Sequence, residues 1–363
     1  MKVLYIMVEN TANTLPMFVS GHQNKGNEAR YLTLFRAAGD FQEDICLDLP
    51  LLPNKSWFRS GKNKLFSAES QYAEALGYPP TWNASLAQKA FFLFRDLIWM
   101  PKIKRAITKY ELDTFDVYHI EGGHGLLRMF SWPLKQWHDQ GKGVVINYHG
   151  ADMRTRGVFP WIDNLGDIHT TSELDLMNRH PNMNYVFLPF NVEAFEVSKN
   201  QNKTIRLCHA TRDRYWKGSD AIIEACHKLV KTHHVQFDLI ENQPYKETLK
   251  RKAQADIYID QVSNLGGWGY GMNSVEALSM GVACATNLVP EYEAFIPDHP
   301  FANVSKENLY SDLKALVEKP QNIAELKLKG RKWVEKTHAI SAVMEQVYSL
   351  YEKQGWGNDK RIT

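Results

Sequence analysis

The stretch Ala255–Thr286, ADIYIDQVSNLGGWGYGMNSVEALSMGVACAT, constrains the fold more than any other part of this chain. It opens as a short apolar strand, breaks into a glycine-rich turn with two aromatic residues, and restarts as a helix whose first turn carries an acid. Such a turn aims backbone N–H groups and the positive end of a helix dipole at one spot, which suits a phosphate or diphosphate. The remainder of the chain reads as the frame that brings a second half-site to face this one.

At 363 residues the chain is too long for one typical core, so two domains are expected. Val3–Val8 is a continuous apolar run of the kind found in strands covered on both faces. A polar loop with Gly21 and Gly26 follows, then a helical pattern at Tyr31, Leu34 and Phe35 that closes at Gly39. Strand, glycine loop and helix open a nucleotide-binding type of α/β domain, although glycines at such places also serve as plain turn residues. Ile45–Leu49 is a second strand, and Pro50–Pro80 reads as an irregular insertion. EGGHG follows the strand Val117–Ile120, and HGADMR follows the strand Gly143–Tyr148. These segments put His124, His149, Asp152 and Arg154 at C-terminal strand edges, where open α/β sheets place ligands. The second half repeats the logic, with a strand at Thr204–Ala210, a basic loop TRDRYWKG and a helix at Asp220–Lys231. The expected fold class is therefore α/β, with two doubly wound domains and a cleft between them. The boundaries fall at residues 1–192, 193–339 and 340–363, the last being a terminal helix.

Composition narrows the partners. The formal net charge is +2, which gives no global argument for nucleic acid. Cys46, Cys208, Cys226 and Cys284 are far apart and sit mostly in apolar runs, as buried thiols do in a reducing compartment. The N-terminal apolar run is shorter than a signal-peptide core, and no run approaches the roughly 20 apolar residues of a membrane span. A cytoplasmic location is expected. Residues 56–66 interleave aromatics with Arg59, Lys62 and Lys64, and residues 89–109 carry six basic residues against Asp96. Phe91, Phe94, Leu97 and Ile98 share one apolar face of that second segment. It either packs this face on the core with a solvated basic side, the plainer reading, or lies on an anionic membrane surface.

Arg212, Arg214 and Lys217 cluster after one strand, with the dipole of the next helix pointing the same way, so a group with two phosphates is a natural occupant. HATRDRYWKGSDAIIEA resembles the donor-phosphate loop of retaining glycosyltransferases of family four, which have the two-domain GT-B fold. The opening stretch resembles the same family's glycine-aromatic-glycine turn and Glu-Ala-Met-Ala-x-Gly helix, and YHGADMR resembles its His-Gly-x-Asp-x-Arg segment. The similarity covers most of the chain in the expected order, outside the Pro50–Pro80 insertion.

The resemblance implies two Rossmann-like domains facing across a cleft, with a C-terminal helix returning to the N-terminal domain. It implies a nucleotide-sugar donor as co-substrate, no cofactor or required metal, and a glycan, lipid-linked or small-molecule acceptor. Arg212 or Arg214, the spacing favouring Arg212, would neutralise the donor diphosphate with Lys217, Glu276 would bind the ribose hydroxyls, and the amides of Gly271, Met272, Asn273 and Ser274 would meet the phosphates. Gly21 and Gly26 would approach the diphosphate from the other domain, and His149 would lie near the reacting side of the sugar. Asp152, Trp268 and His124 would contact sugar or acceptor. Asn273 to Glu276 also fits a helix-capping arrangement. One position departs from the family pattern: Trp268 stands where many members place a sugar-binding glutamate, and an indole cannot accept hydrogen bonds from sugar hydroxyls. Donor identity therefore does not carry over. A nucleotide-sugar-binding protein without transfer activity is the alternative, while GGWGYG and EGGHG do not fit the dinucleotide pattern of an oxidoreductase.

Overall fold

A computed structural model describes residues 1–10, 13–36, 41–51, 79–198 and 202–357. The chain divides into two compact units: Met1–Pro189 with Val343–Thr363, and Phe190–Ala342.

The first unit holds seven strands: β1 (Lys2–Met7), β2 (Glu28–Thr33), β3 (Ile45–Cys46), β4 (Val117–Glu121), β5 (Gly143–Tyr148), β6 (Ile168–Thr171) and β7 (Met183–Tyr185). All pair in parallel, in the order β3-β2-β1-β4-β5-β6-β7. Strand order reverses between β1 and β4, the point at which doubly wound sheets open a crevice. Alternate strand residues Leu4, Ile6, Tyr118, Ile120, Val144 and Ile146 pack against Trp99, Ile103 and Trp137 on one face. The terminal helix Ile340–Lys353 belongs mostly to this unit and buries Val343, Met344, Val347 and Tyr351. Its Tyr351 hydroxyl lies 2.5 Å from His119 Nε2, and Tyr348 Oη lies 2.8 Å from His22 Nδ1. Burial drives both imidazoles towards the neutral form, His22 down to about 3.

Two sequence expectations are corrected here. Tyr31, Leu34 and Phe35 do not form a helix: the helix is Leu15–Asn24, with a proline in its first turn, and Glu28–Thr33 is a strand. The 29–35 run is buried from both sides, so its apolar spacing carried no helical period. Gly21 consequently lies buried inside a helix, and Gly26 (φ +77°) turns the chain into the start of β2, whose Glu28 pairs with Lys2. Both stand away from the C-terminal strand ends. The second correction concerns Leu86–Tyr110, a single helix that continues through Pro101 from a Ser85–Gln88 capping box. It buries Arg95, Asp96, Trp99, Ile103 and Ala106, whereas Phe91, Phe94, Leu97 and Ile98 are exposed. A buried Arg95–Asp96 pair occupies the inward face, which reverses the amphipathic reading. Residues 56–66 lie outside the described residues.

The second unit holds β8 (Ile205–Thr211), β9 (Val235–Glu241), β10 (Ile257–Ile259), β11 (Ala283–Thr286) and β12 (Ala302–Asn303), all parallel, in the order β12-β11-β10-β8-β9. Ile222, Ala225, Cys226 and Leu229 of the helix Ser219–Thr232 pack on Leu207, Ile257 and Ile259. The switch point lies between β8 and β10. Among the described residues no helix is long and apolar enough to cross a membrane.

Tyr351→Phe should leave buried His119 Nε2 without its partner and cost about 1–3 kcal/mol. Urea unfolding of the variant checks this; an unchanged midpoint would show that the hydroxyl is dispensable.

Candidate functional site

At the C-terminal edge of the second sheet, one carboxylate gathers three segments. Asp260 follows β10 directly and is fully buried. Its Oδ1 accepts from Lys217 Nζ, while Oδ2 accepts the Gly271 amide at 2.9 Å and the Ser274 hydroxyl at 2.7 Å. The backbone N–H of Asp260 in turn donates to Ala285 O at 2.9 Å, so the residue is fixed to β11. Burial by itself would raise this carboxyl, but the charge of Lys217 and the hydrogen bonds hold it down at about 2.

The local backbone explains the convergence. Asp213 caps the short helix Arg214–Lys217 by accepting from Tyr215 N at 3.0 Å, and Gly218 (φ +69°) turns the chain into the next helix. Lys217 is thereby placed below the end of β10. On the other side, Gly269 (φ +80°) turns the aromatic loop; a Cβ there would lie 2.7 Å from the Tyr292 ring. Gly271 is the N-cap of the helix Met272–Ser279, which corrects the Asn273–Glu276 capping reading. Among the described residues, the amides of Met272 and Asn273 have no acceptor, as expected for a first helical turn.

A second cluster holds Glu276. Lys252 is fully buried, and its ammonium donates to Glu276 Oε2 and Asn273 Oδ1, each at 2.5 Å. It also lies 4.9 Å from the centre of the Tyr258 ring. The two arginines differ. Arg214 is committed to Glu241 through two hydrogen bonds of 2.7 Å, with Asp220 at 3.3 Å. Arg212 is exposed, and its guanidinium has no partner among the described residues. Trp268 is half-buried in the turn, without an aromatic neighbour among the described residues.

In the first unit, His149 follows β5. Its Nε2 lies 3.3 Å from Glu121 Oε2 at the end of β4, and Asn147 Nδ2 holds the same carboxylate oxygen at 2.6 Å. Burial opposes a charged imidazole, yet the hydrogen bond and charge of Glu121 outweigh it and lift His149 to about 9. Asp152 accepts the His149 amide at 3.0 Å and pairs with Arg156 at 3.1 Å. His124 lies farther along the same edge, beside Arg128 and Phe159.

The structure thus brings Lys217, Gly271 and Ser274 together on Asp260, joins Glu276 and Asn273 to Lys252, and sets Asp152 against His149. Gly21 and Gly26 are elsewhere, and Arg214 is turned aside. Sequence reasoning gave no role to Asp260, Lys252 or Glu121. The available signal was an acid at the end of a buried strand, in YID and in IEGG. One further group, Asp163, His169 and His180, has the separations of a metal-ligand cluster. It is satisfied as a hydrogen-bonded network in which Tyr148 donates to Asp163 at 2.6 Å and Asn182 N to His180 Nδ1 at 3.1 Å.

The sequence matches no family profile and no curated protein. Solved structures do match along nearly the whole chain. A glycosyltransferase from Rickettsia africae ESF-5 aligns over 97% of this chain and 98% of its own, with 9% identity and a TM-score of 0.58. The S. aureus TarM variant bound to fondaparinux, α-GlcNAc-glycerol and UDP aligns over 97% and 100%, with 11% identity and a TM-score of 0.59. The chain has the GT-B fold. A UDP-N-acetylglucosamine 2-epimerase also aligns, over 99% and 98%, with 10% identity and a TM-score of 0.55, so this fold is compatible with more than one reaction.

Asp260→Asn should free Lys217 and destabilise the second unit by about 3–5 kcal/mol, as loss of one partner of a buried pair does. The native contribution of Asp260 is present above the unfolded carboxyl value near 3.9 and is lost as pH falls through about 2, so the penalty should be full at neutral pH. Urea melts of both proteins at pH 7 provide the comparison. For His149, NMR titration should show the ring protonated until about pH 9, and Glu121→Gln should return it towards 6.5. The pairing contributes stability below the unfolded value of about 6.5, and that stability disappears as pH rises through about 9. An unchanged His149 titration in Glu121→Gln would remove Glu121 as the cause.

Proposed function

We propose that this GT-B protein is a retaining glycosyltransferase that moves a sugar from a nucleoside-diphosphate sugar to a hydroxyl acceptor, in glycan, glycolipid or cell-surface polysaccharide synthesis. The observation that carries the reading is the Asp260 arrangement, which presents Lys217 and the amides of Met272 and Asn273 at the β8/β10 switch point. A diphosphate is the group that such a combination of cation and helix N-terminus recognises. Arg212, exposed in the loop that precedes Lys217, supplies a second cation for the charge that builds on the leaving diphosphate. Glu276, oriented by Lys252, is the ribose acceptor group. His149, kept cationic by Glu121, serves as a hydrogen-bond donor towards sugar or acceptor oxygens. In the retaining reaction the acceptor oxygen forms a bond to the anomeric carbon on the face the diphosphate leaves, and the departing phosphate oxygen takes the acceptor proton. Because one of the similar structures was solved with UDP and another bears the name of a UDP-sugar epimerase, uridine diphosphate is the first nucleotide to test.

Lys217→Ala should lower kcat by about 100-fold or more when assayed below its melting transition, which should itself fall because buried Asp260 loses its partner. Wild-type turnover in the variant would sink the assignment. Trp268, in place of a sugar-binding acid, favours a second reading in which the donor is bound but not transferred. Donor binding without hydrolysis or transfer across an acceptor panel would select it.

The exposed side of the Leu86–Tyr110 helix supports a peripheral membrane contact. Phe91, Phe94, Leu97 and Ile98 are exposed on its first turns, and Lys102, Lys104, Arg105 and Lys109 on its last. An apolar patch continued by cations is the composition of a helix lying on anionic lipid. Phosphatidylglycerol vesicles should pellet the protein in low salt, and Phe94→Glu should release it. Failure to sediment with anionic vesicles would reject the contact.

A further inference from the structure

Among the described residues, the loop after β4 holds a cation that has no carboxylate of its own. Three guanidinium groups cluster there, and two are paired: Arg95 with Asp96 at 2.9 Å, and Arg156 with Asp152 at 3.1 Å. Arg128 is the third. Its one side-chain hydrogen bond among the described residues is a 3.5 Å contact with His124 Nδ1, and its buried Nε has no partner. Asp96 is not available to it, since Oδ2 accepts the backbone amides of Arg128 and Met129, both at 2.7 Å, and Oδ1 accepts from Arg95. The Arg128 guanidinium instead lies 4.1 Å from the centre of the Phe92 ring and 5.6 Å from that of Phe159. Burial and the like charges of Arg95 and Arg156 work against its ionised form, and the charge of Asp96 offsets part of this without a direct hydrogen bond. Aromatic faces offset part of this penalty, but they do not accept five N–H donors in their plane. Asp96 fixes the loop backbone from the Leu86–Tyr110 helix, so the unpaired cation is held in place rather than free to seek water.

The location adds to the chemistry. This loop stands at the C-terminal end of β4, beside the β1/β4 switch point of the first unit, where a doubly wound sheet binds ligands. Arg128, His124 and Arg156 are each half-buried as residues, so the outer side of the cluster faces solvent while Arg128 Nε does not.

We propose that Arg128, assisted by His124 and the charge of Arg156, binds an acidic oxyanion group, phosphate or carboxylate, on the acceptor. The word acceptor rests on the glycosyltransferase reading; the oxyanion subsite itself does not. A planar guanidinium with a free edge is the side chain best matched to such a group.

Glycerol phosphate, as a soluble phosphomonoester, and phosphatidylglycerol vesicles are the two probes. Binding is read by thermal shift and by calorimetric titration on the full chain, with Arg128→Met and Lys217→Ala variants. Glycerol phosphate should stabilise the wild type and Lys217→Ala alike, while Arg128→Met binds it at least about tenfold more weakly. Without any anion, Arg128→Met should melt at or above the wild-type temperature, because its stem keeps the Phe92 contact while the unpaired charge is gone. Should it fail to fold, Arg128→Lys keeps the charge without the planar fork and should still bind more weakly than wild type. A response to the soluble probe assigns a soluble acidic acceptor; a response to vesicles alone that Arg128→Met abolishes assigns a lipid-borne one. No response to either probe, or a response abolished by Lys217→Ala and kept by Arg128→Met, overturns the proposal. Nucleoside diphosphate titrated into the same variants separates the two readings. Arg128→Met should retain that binding, and its absence from the wild type would count against the transferase reading alone.

Discussion

The buried carboxylate of Asp260 is the interaction on which the second unit's candidate site depends. Without it, the Lys217 loop, the glycine turn and the helix at Met272 would be three separate segments at the edge of a sheet. A buried ion pair is a poor source of net stability compared with apolar packing, because desolvation offsets most of the Coulomb attraction. What it supplies here is position. It fixes the Lys217 ammonium on the same carboxylate that holds the first turn of the Met272–Ser279 helix, and that juxtaposition is what the proposed anion site rests on. Lys252 repeats the device one turn further along, where a fully buried ammonium sets the orientation of Glu276.

The first unit uses the same principle with a histidine in place of the lysine. Glu121, at the end of β4, holds a histidine cationic at the end of β5. Both units place their polar constellations at the C-terminal ends of parallel strands, because only there do the loops leave a crevice between helices packed on opposite faces. The opposite end of the first sheet carries Gly26 and the turn into β2, where the charges are the partly exposed pairs Lys2–Glu28 and Lys142–Asp116. The terminal helix seals one face of that sheet through hydroxyls that satisfy two buried neutral histidines.

Much of this was legible from residue order. The continuous apolar runs at Val3–Val8, Gly143–Tyr148 and Val282–Thr286 could only be strands of a covered parallel sheet, and the turn at Gly269–Gly271 announced a helix N-terminus. Two kinds of information were not legible. Buried charge pairs invert an amphipathic reading: Arg95 and Asp96 occupy the inward face of their helix and turn Phe91 and Phe94 outward, which no apolar periodicity reveals. A run buried on both faces, such as that around Tyr31 and Leu34, has no period to read. The partners of Lys217, Glu276 and His149 were hidden for a related reason. Asp260, Lys252 and Glu121 lie 43, 24 and 28 residues away from them, and only the sheet order makes them neighbours.

The most direct test of the account is amide hydrogen exchange on the full chain with and without a nucleoside diphosphate. Binding at the Asp260-organised edge should slow exchange in residues 211–218 and 269–276, including the amides of Met272 and Asn273. If no nucleoside diphosphate alters exchange there, or if protection appears only in other segments, the site is not a donor site and the functional reading built on it is wrong.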